Sequence, residues 1–200
     1  MLTYCSNWQI KNMNETYVRN KINALFRGLG VNADTVTDAI ICPRCFKRVV
    51  PSCGRPDVTM MHPTARSCYL EAKIVKSRDR SFSFGSITSE QREWLTDWAN
   101  RGGLGFLGLG VITKPKTRDK LDKLYLVEWT AWLELEAVVS EYQNSIPIIA
   151  GPGFSRDLQE RNLDLATQLA GWELQQVTGG WIIPAEHPAH GLIGGTETKA

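Results

Sequence analysis

No run of about 18 apolar residues occurs anywhere in the 200-residue chain, so the sequence offers no membrane-spanning helix. The opening stretch MLTYCSNWQIKNMNETY has no basic segment followed by a long apolar one, so no secretory signal is expected. Internal repeats and low-complexity segments are also missing, which excludes solenoids and fibrous arrays. Charge of one sign is scarce: the formal net charge is +2, too little to imply a nucleic-acid partner, so any basic surface must be local. Cysteine is sparse, odd in number at five, and confined to the first 68 residues. That pattern argues against a secreted disulfide framework and for a reducing compartment, with a cytoplasmic location as the expectation.

What remains is an ordinary globular composition, 42% hydrophobic and 22% charged, in a chain long enough to bury a core without disulfides. Residues 14–28 predict a helix with Asn14 as cap and Val18, Ile22, Leu25 and Phe26 as its apolar stripe. Two β-branched runs around Cys-Pro-Arg-Cys at 38–50 predict a hairpin. PDVTMM and CYLEAKIV predict two further strands joined by the turn-prone HPTARS. ITSEQREWLTDWANRGG predicts a second helix, capped by Thr88 or Ser89 and ended by the double glycine. LGFLGLGVI is apolar on both faces, as a central strand would be, and KLYLVEW is its partner; TAWLELEAVVSEYQ predicts a third helix. The order predicts an α/β fold with a central mixed β-sheet flanked by helices. Residues 1–150 are expected to form the core domain, carrying the Cys-bearing hairpin at 38–54. Residues 151–200 are expected to be a C-terminal extension, with a short helix, a hairpin turning at Gly179–Gly180, and GLIGGTETKA as a flexible tail.

Inside CYLEAKIV the side chains alternate. Cys68, Leu70, Ala72 and Ile74 share one face, while Tyr69, Glu71, Lys73 and Val75 share the other. Glu71 and Lys73 are therefore same-face neighbours, roughly 7 Å apart at Cα. One reading is an edge strand with a cross-strand ion pair. The other involves Asp57, which follows Pro56 and opens the preceding strand. If these two strands pair antiparallel, Asp57 comes near Glu71. Two carboxylates converging beside a lysine call for a hard divalent cation such as Mg²⁺ (or Mn²⁺), which prefers carboxylate and water oxygens. Such an ion lowers the pKa of a bound water, and the lysine can orient that water or offset developing phosphorane charge.

Pro56-Asp57 followed by Glu71-Ala72-Lys73 resembles the signature of the PD-(D/E)XK nuclease superfamily. The segment SFSFGSITSEQREWLTDWANRGGLGFLGLGVI is similar to the part that follows this signature in Holliday-junction resolvases of the recombination-protein-U type: an aromatic-rich loop, a helix opening with a conspicuous glutamine, a Gly-Gly turn and an apolar strand. The resemblance covers roughly residues 54–130. It differs in the cysteine-bearing segment that leads into Asp57, where those resolvases carry a longer, threonine-containing stretch. The resemblance implies a restriction-endonuclease-like core and Mg²⁺-dependent endonuclease activity on DNA, branched or duplex, leaving a 3′-hydroxyl and a 5′-phosphate. It implies metal ligation by Asp57, Glu71 and the backbone carbonyl of Ala72, catalysis by Lys73, and a supporting role for Gln91. It implies a homodimer, since opposed strands need two cuts and two-fold partners supply two sites. A bacterial or phage setting in DNA recombination or repair is the corresponding expectation. Glu15 is a candidate for the acid this superfamily often adds from its first helix, or else a first-turn glutamate favoured by the helix dipole.

Two further sets of residues carry expectations. Cys42 and Cys45, with Cys53 nearby, have zinc-knuckle spacing; a structural Zn²⁺ needs four ligands, with His62 or Cys68 to complete the set, and no second Cys-x-x-Cys exists. A reduced pair on a tight proline turn is the other reading. The loops after two of the strands carry Lys76, Arg78 and Arg80, and Lys114, Lys116 and Arg118, which can hold DNA phosphates or stand solvated. Phe82 and Phe84 suit packing or a wedge near unstacked bases; Trp94, Trp98, Trp129 and Trp132 are expected to pack helices on the sheet; His187 and His190 are expected in a surface loop. Three functions are therefore in contention: a structure-specific nuclease, a non-catalytic zinc-bearing nucleic-acid or protein-binding module, and a restriction- or mismatch-type nuclease on the same fold.

Overall fold

The computed structural model describes residues 5–35, 40–41, 48–49, 58–61, 67–76, 81–112, 121–148, 164–165 and 167–193, with side chains at 15–31, 68–75, 81–112, 121–148, 164–165 and 167–193. The fold is mixed α/β. Its centre is a five-stranded sheet of β1 (Asn32–Thr35), β4 (Val58–Met61), β5 (Ser67–Lys76), β7 (Leu104–Ile112) and β8 (Leu121–Glu128), in the order β1-β4-β5-β7-β8. β5 and β7 run parallel, and every other neighbouring pair is antiparallel. The parallel pair follows from the crossover helix α2 (Ser89–Asn100), which returns the chain so that Glu71 stands beside Leu107 and Lys73 beside Leu109. Among the described residues three short antiparallel pairs lie outside this sheet: β2 (Ile40–Ile41) with β3 (Arg48–Val49), as the hairpin expectation requires, β6 (Ser81–Ser83) with β9 (Ser145–Pro147), and a C-terminal hairpin.

Each sheet face carries its own core. On one side α1 (Cys5–Gly28) lays Val18, Ile22, Leu25 and Phe26 against Leu70, Ala72 and Phe106. On the other, α2 and α3 (Trp129–Ser140) cover Leu107, Leu109, Val111, Tyr125 and Val127 with Leu95, Trp129, Trp132 and Leu135. The glycines of β7 explain how close α1 comes. A Cβ at Gly108 would lie 2.4 Å from the Ile22 side chain, and one at Gly110 would lie 2.3 Å from Val18. These two positions face α1, while Leu107, Leu109 and Val111 fill the opposite face, so the fully buried strand alternates small and large by layer.

The first helix begins at Cys5, so Asn14 is an interior residue and not a cap. Once a helix is nucleated, each added residue gains a hydrogen bond at little entropic cost, and a polar stretch can extend it. The C-terminal hairpin forms as β10 (Gln175–Val177) and β11 (Gly180–Ile182), with Thr178 and Gly179 at the turn and Gly180 already paired to Val177. Residues 172–174 run along the outer edge of β8: Leu126 N–H donates to the Trp172 carbonyl at 3.0 Å, Leu174 N–H donates to Leu124 at 2.7 Å, and Lys123 pairs with Glu173 at 2.7 Å. Burial, with Glu173 beside it, pushes the Tyr125 phenol well above its usual range. Of the expected tail, residues 191–193 belong to a short helix, Pro188–Ile193, whose Ala189 and Ile193 are buried. His187 is likewise buried rather than in a surface loop. Its Nδ1 accepts from the Ala189 N–H at 3.0 Å and its ring meets Trp172 edge-on, and burial holds its pKa below the ordinary histidine value. Among the described residues no helix is long and apolar enough to cross a membrane.

Candidate functional site

Glu71 and Lys73 occupy the middle of β5, on the face covered by α2, as their alternation with Leu70 and Ala72 dictates. Both are buried, Glu71 to 2% exposure and Lys73 to 9%. The Lys73 ammonium lies 2.6 Å from Glu71 Oε1. Gln91 Nε2 donates to the same oxygen at 2.5 Å, across 20 residues of sequence. One carboxylate oxygen thus receives an ammonium and an amide donor at once.

The first turn of α2 fixes the amide. Thr88 is the cap: its Oγ1 accepts from the Gln91 N–H at 3.3 Å, and the Gln91 Oε1 accepts from the Thr88 N–H at 3.0 Å. This reciprocal capping box leaves only the NH₂ end of Gln91 to point at Glu71. Removing a threonine cap costs about 1 kcal/mol in typical helices, and here it would also free the glutamine. The helix start favours anions through its unpaired N–H groups. Glu90, in that turn, shows the effect: hydrogen bonds from its own backbone N–H and from Thr88 hold its carboxyl below the usual glutamate range. Arg92 anchors the turn from its other side, donating to Glu136 at 2.6 Å and to the Phe84 carbonyl at 2.8 Å.

A buried ion pair is weak evidence for stability, because taking two charges out of water costs about as much as their attraction returns. Glu128, another buried acid, has a structural explanation instead: it caps α3, accepting from the Ala131 N–H at 3.1 Å and from the Thr130 hydroxyl.

Of the sequence-predicted residues, the structure brings together Glu71, Lys73 and Gln91. Ala72 lies between the first two, its own side chain buried on the opposite face. Asp57 lies outside the described residues. Its covalent neighbour Val58 stands opposite Leu70, the residue before Glu71, in the antiparallel pair β4–β5. Glu15 belongs to α1, which covers the other face of the sheet. Cys42, Cys45, Cys53, Arg78, Arg80, Lys114, Lys116 and Arg118 lie outside the described residues, and of Lys76 only the backbone, at the end of β5, is described. Cys68 is buried in the core on the α1 side of the sheet. Phe82 and Phe84 are packing residues, both edge-on to the buried Trp132 at 5.6 and 5.9 Å.

One group beside the site escaped the sequence reading. Tyr69 meets Trp94 at 5.5 Å between ring centroids and Trp98 at 4.4 Å. The signal was present in the spacing, since Tyr69 shares the Glu71 face of β5, and Trp94 and Trp98 follow Gln91 by three and seven residues. Trp94 packs against Tyr69 of β5 but stays 39% exposed, so it is less buried than expected. A separate open apolar cavity of about 370 Å³ lies between α1 and the β10–β11 hairpin, lined by Leu25, Leu29, Trp181 and Ile183 with Lys21 at its wall.

Compared with protein-family models the chain matches none, and no curated protein matches it.

Proposed function

We propose that the chain is a Mg²⁺-dependent DNA endonuclease with a restriction-endonuclease-like core, hydrolysing phosphodiester bonds in branched DNA such as a Holliday junction or a related structure. The observation that carries this reading is the convergence of Lys73 Nζ and Gln91 Nε2 on one buried oxygen of Glu71. Glu71 offers a carboxylate, the hard oxygen donor that Mg²⁺ and Mn²⁺ accept, so the residue types fit such an ion. Asp57, Glu71 and the Ala72 carbonyl would hold it. Asp57 directly precedes Val58 in the sequence, and Val58 is paired with Leu70, the residue before Glu71. When bound, a divalent ion supplies charge neutralisation at the scissile phosphate and lowers the pKa of a water.

The residues of the chain itself do the rest. Gln91, locked by its capping box, keeps the Glu71 carboxylate in one orientation. Lys73, poised 2.6 Å from that carboxylate, hydrogen-bonds the attacking water or offsets the negative charge that grows on the phosphorane oxygens. Leu107 and Leu109, the buried neighbours of Glu71 and Lys73 on β7, strengthen these interactions by excluding water. A homodimer would place two such sites on opposed strands.

The test is incubation of the full chain with end-labelled four-way junction, duplex, flap and single-stranded DNA, with Mg²⁺ or with EDTA. The expected outcome is nicking of at least one structured DNA in Mg²⁺ alone, leaving 5′-phosphate ends. Intact DNA on all four substrates, with the protein folded and bound, would defeat the proposal.

A further inference from the structure

We propose that Trp94, braced by Tyr69, is a stacking platform for an unpaired base of the DNA held at the Glu71–Lys73 site. The choice of nucleic acid as ligand rests on the nuclease reading above; the platform itself rests on geometry. α2 runs back along β5, so Gln91 lies over Glu71, and the next turns of the helix, with Trp94 and Trp98, lie over Tyr69. Tyr69 is two residues from Glu71 on the same strand face, roughly 7 Å at Cα. The aromatic group therefore begins where the candidate catalytic group ends.

The three rings are not equivalent. Trp98 has a packing role, since a Cβ at Gly103 would come within 2.5 Å of its indole. Leu95, at 1% exposure, supplies the core contact of this helix. Trp94 differs from both: the Tyr69 ring meets it at 89°, yet it remains 39% exposed. An indole held by one aromatic contact and still 39% exposed offers aromatic surface at little entropic cost. Stacking on such a surface is a principal way proteins take up unpaired bases, whereas a duplex hides its base faces. The neighbouring exposed charges on α2 are Glu90 and Glu93, which repel phosphates, and Asp97, which is paired with Arg101 at 2.8 Å. What this surface admits is the neutral face of a base, with the phosphates lying elsewhere.

The experiment is fluorescence anisotropy of labelled DNA with the full chain in EDTA, so that no cutting occurs. The probes are a fully paired duplex and the same duplex carrying a two-nucleotide bulge. Trp94→Ala is expected to weaken binding of the bulged DNA by about tenfold or more, and that of the paired duplex by less than about twofold, while Trp94→Phe stays within about threefold of the wild type on both. Equal affinity of Trp94→Ala and wild type for bulged DNA, or a uniform loss on both DNAs, would overturn the platform. The two readings fail separately: cutting in Mg²⁺ with no Trp94 effect removes the platform alone, and a Trp94-dependent preference for the bulge without cutting removes the nuclease alone.

Discussion

Replacing Lys73 with alanine is expected to lower Mg²⁺-dependent DNA cleavage by at least about a hundredfold. The same change withdraws the ammonium from a carboxylate that is 2% exposed, and breaking a buried pair in this way costs about 3–5 kcal/mol of stability. A loss of activity alone would therefore be ambiguous, and a second variant separates the two effects. In the double variant Glu71→Leu with Lys73→Met, both charges give way to apolar groups of similar length. Such exchanges are often neutral or stabilising, so the melting temperature is expected to return towards that of the wild type while cleavage stays absent. Cleavage by the refolded double variant would show that the pair is structural. Assays run well below the melting temperature, checked by circular dichroism, keep folding and chemistry apart.

The second large effect is expected at Trp132, which is fully buried and receives both Phe82 and Phe84 edge-on. Trp132→Ala removes the partner of the segment that leads into α2 and leaves a cavity under it, at a cost of about 3–5 kcal/mol. For a chain of this size that corresponds to a fall in melting temperature of roughly 6–20 °C. The segment matters for the site because the Phe84 carbonyl accepts from Arg92, in the same turn as Gln91. Trp94→Ala, which loses the Tyr69 contact but little fully buried surface, is expected to cost less, about 1–2 kcal/mol. Thermal melts of the two variants should differ widely; near-equal melts would contradict this assignment of core and surface.

The contrast between these tryptophans shows where the sequence was legible. Strand alternation is a local rule, so the shared face of Glu71 and Lys73 could be read from eight residues, and so could the double-sided burial of β7. The contact from Gln91 to Glu71 could not, because it joins a helix turn to a strand 20 residues away; only the family resemblance pointed to that glutamine. Trp94 and Trp98 look alike in sequence, and their different fates depend on where Tyr69 and Gly103 lie in the folded chain. His187 was expected at the surface because it lies near the C-terminal tail, but it is buried, with its ring against Trp172 and its Nδ1 accepting from the Ala189 N–H. The helix Pro188–Ile193 was missed for a related reason: a glycine inside it argues against helix locally, and the burial of Ala189 and Ile193 outweighs that.

The most direct measurement is the binding of Mn²⁺ as a stand-in for Mg²⁺, followed by electron paramagnetic resonance on the wild type and on Glu71→Gln. Glutamine keeps the shape of the side chain and removes the charge that the ion would share with Lys73. The expected result is one ion held by the wild type and at least about tenfold weaker binding by the variant. Identical titrations would contradict the proposal that Glu71 is a metal-binding carboxylate.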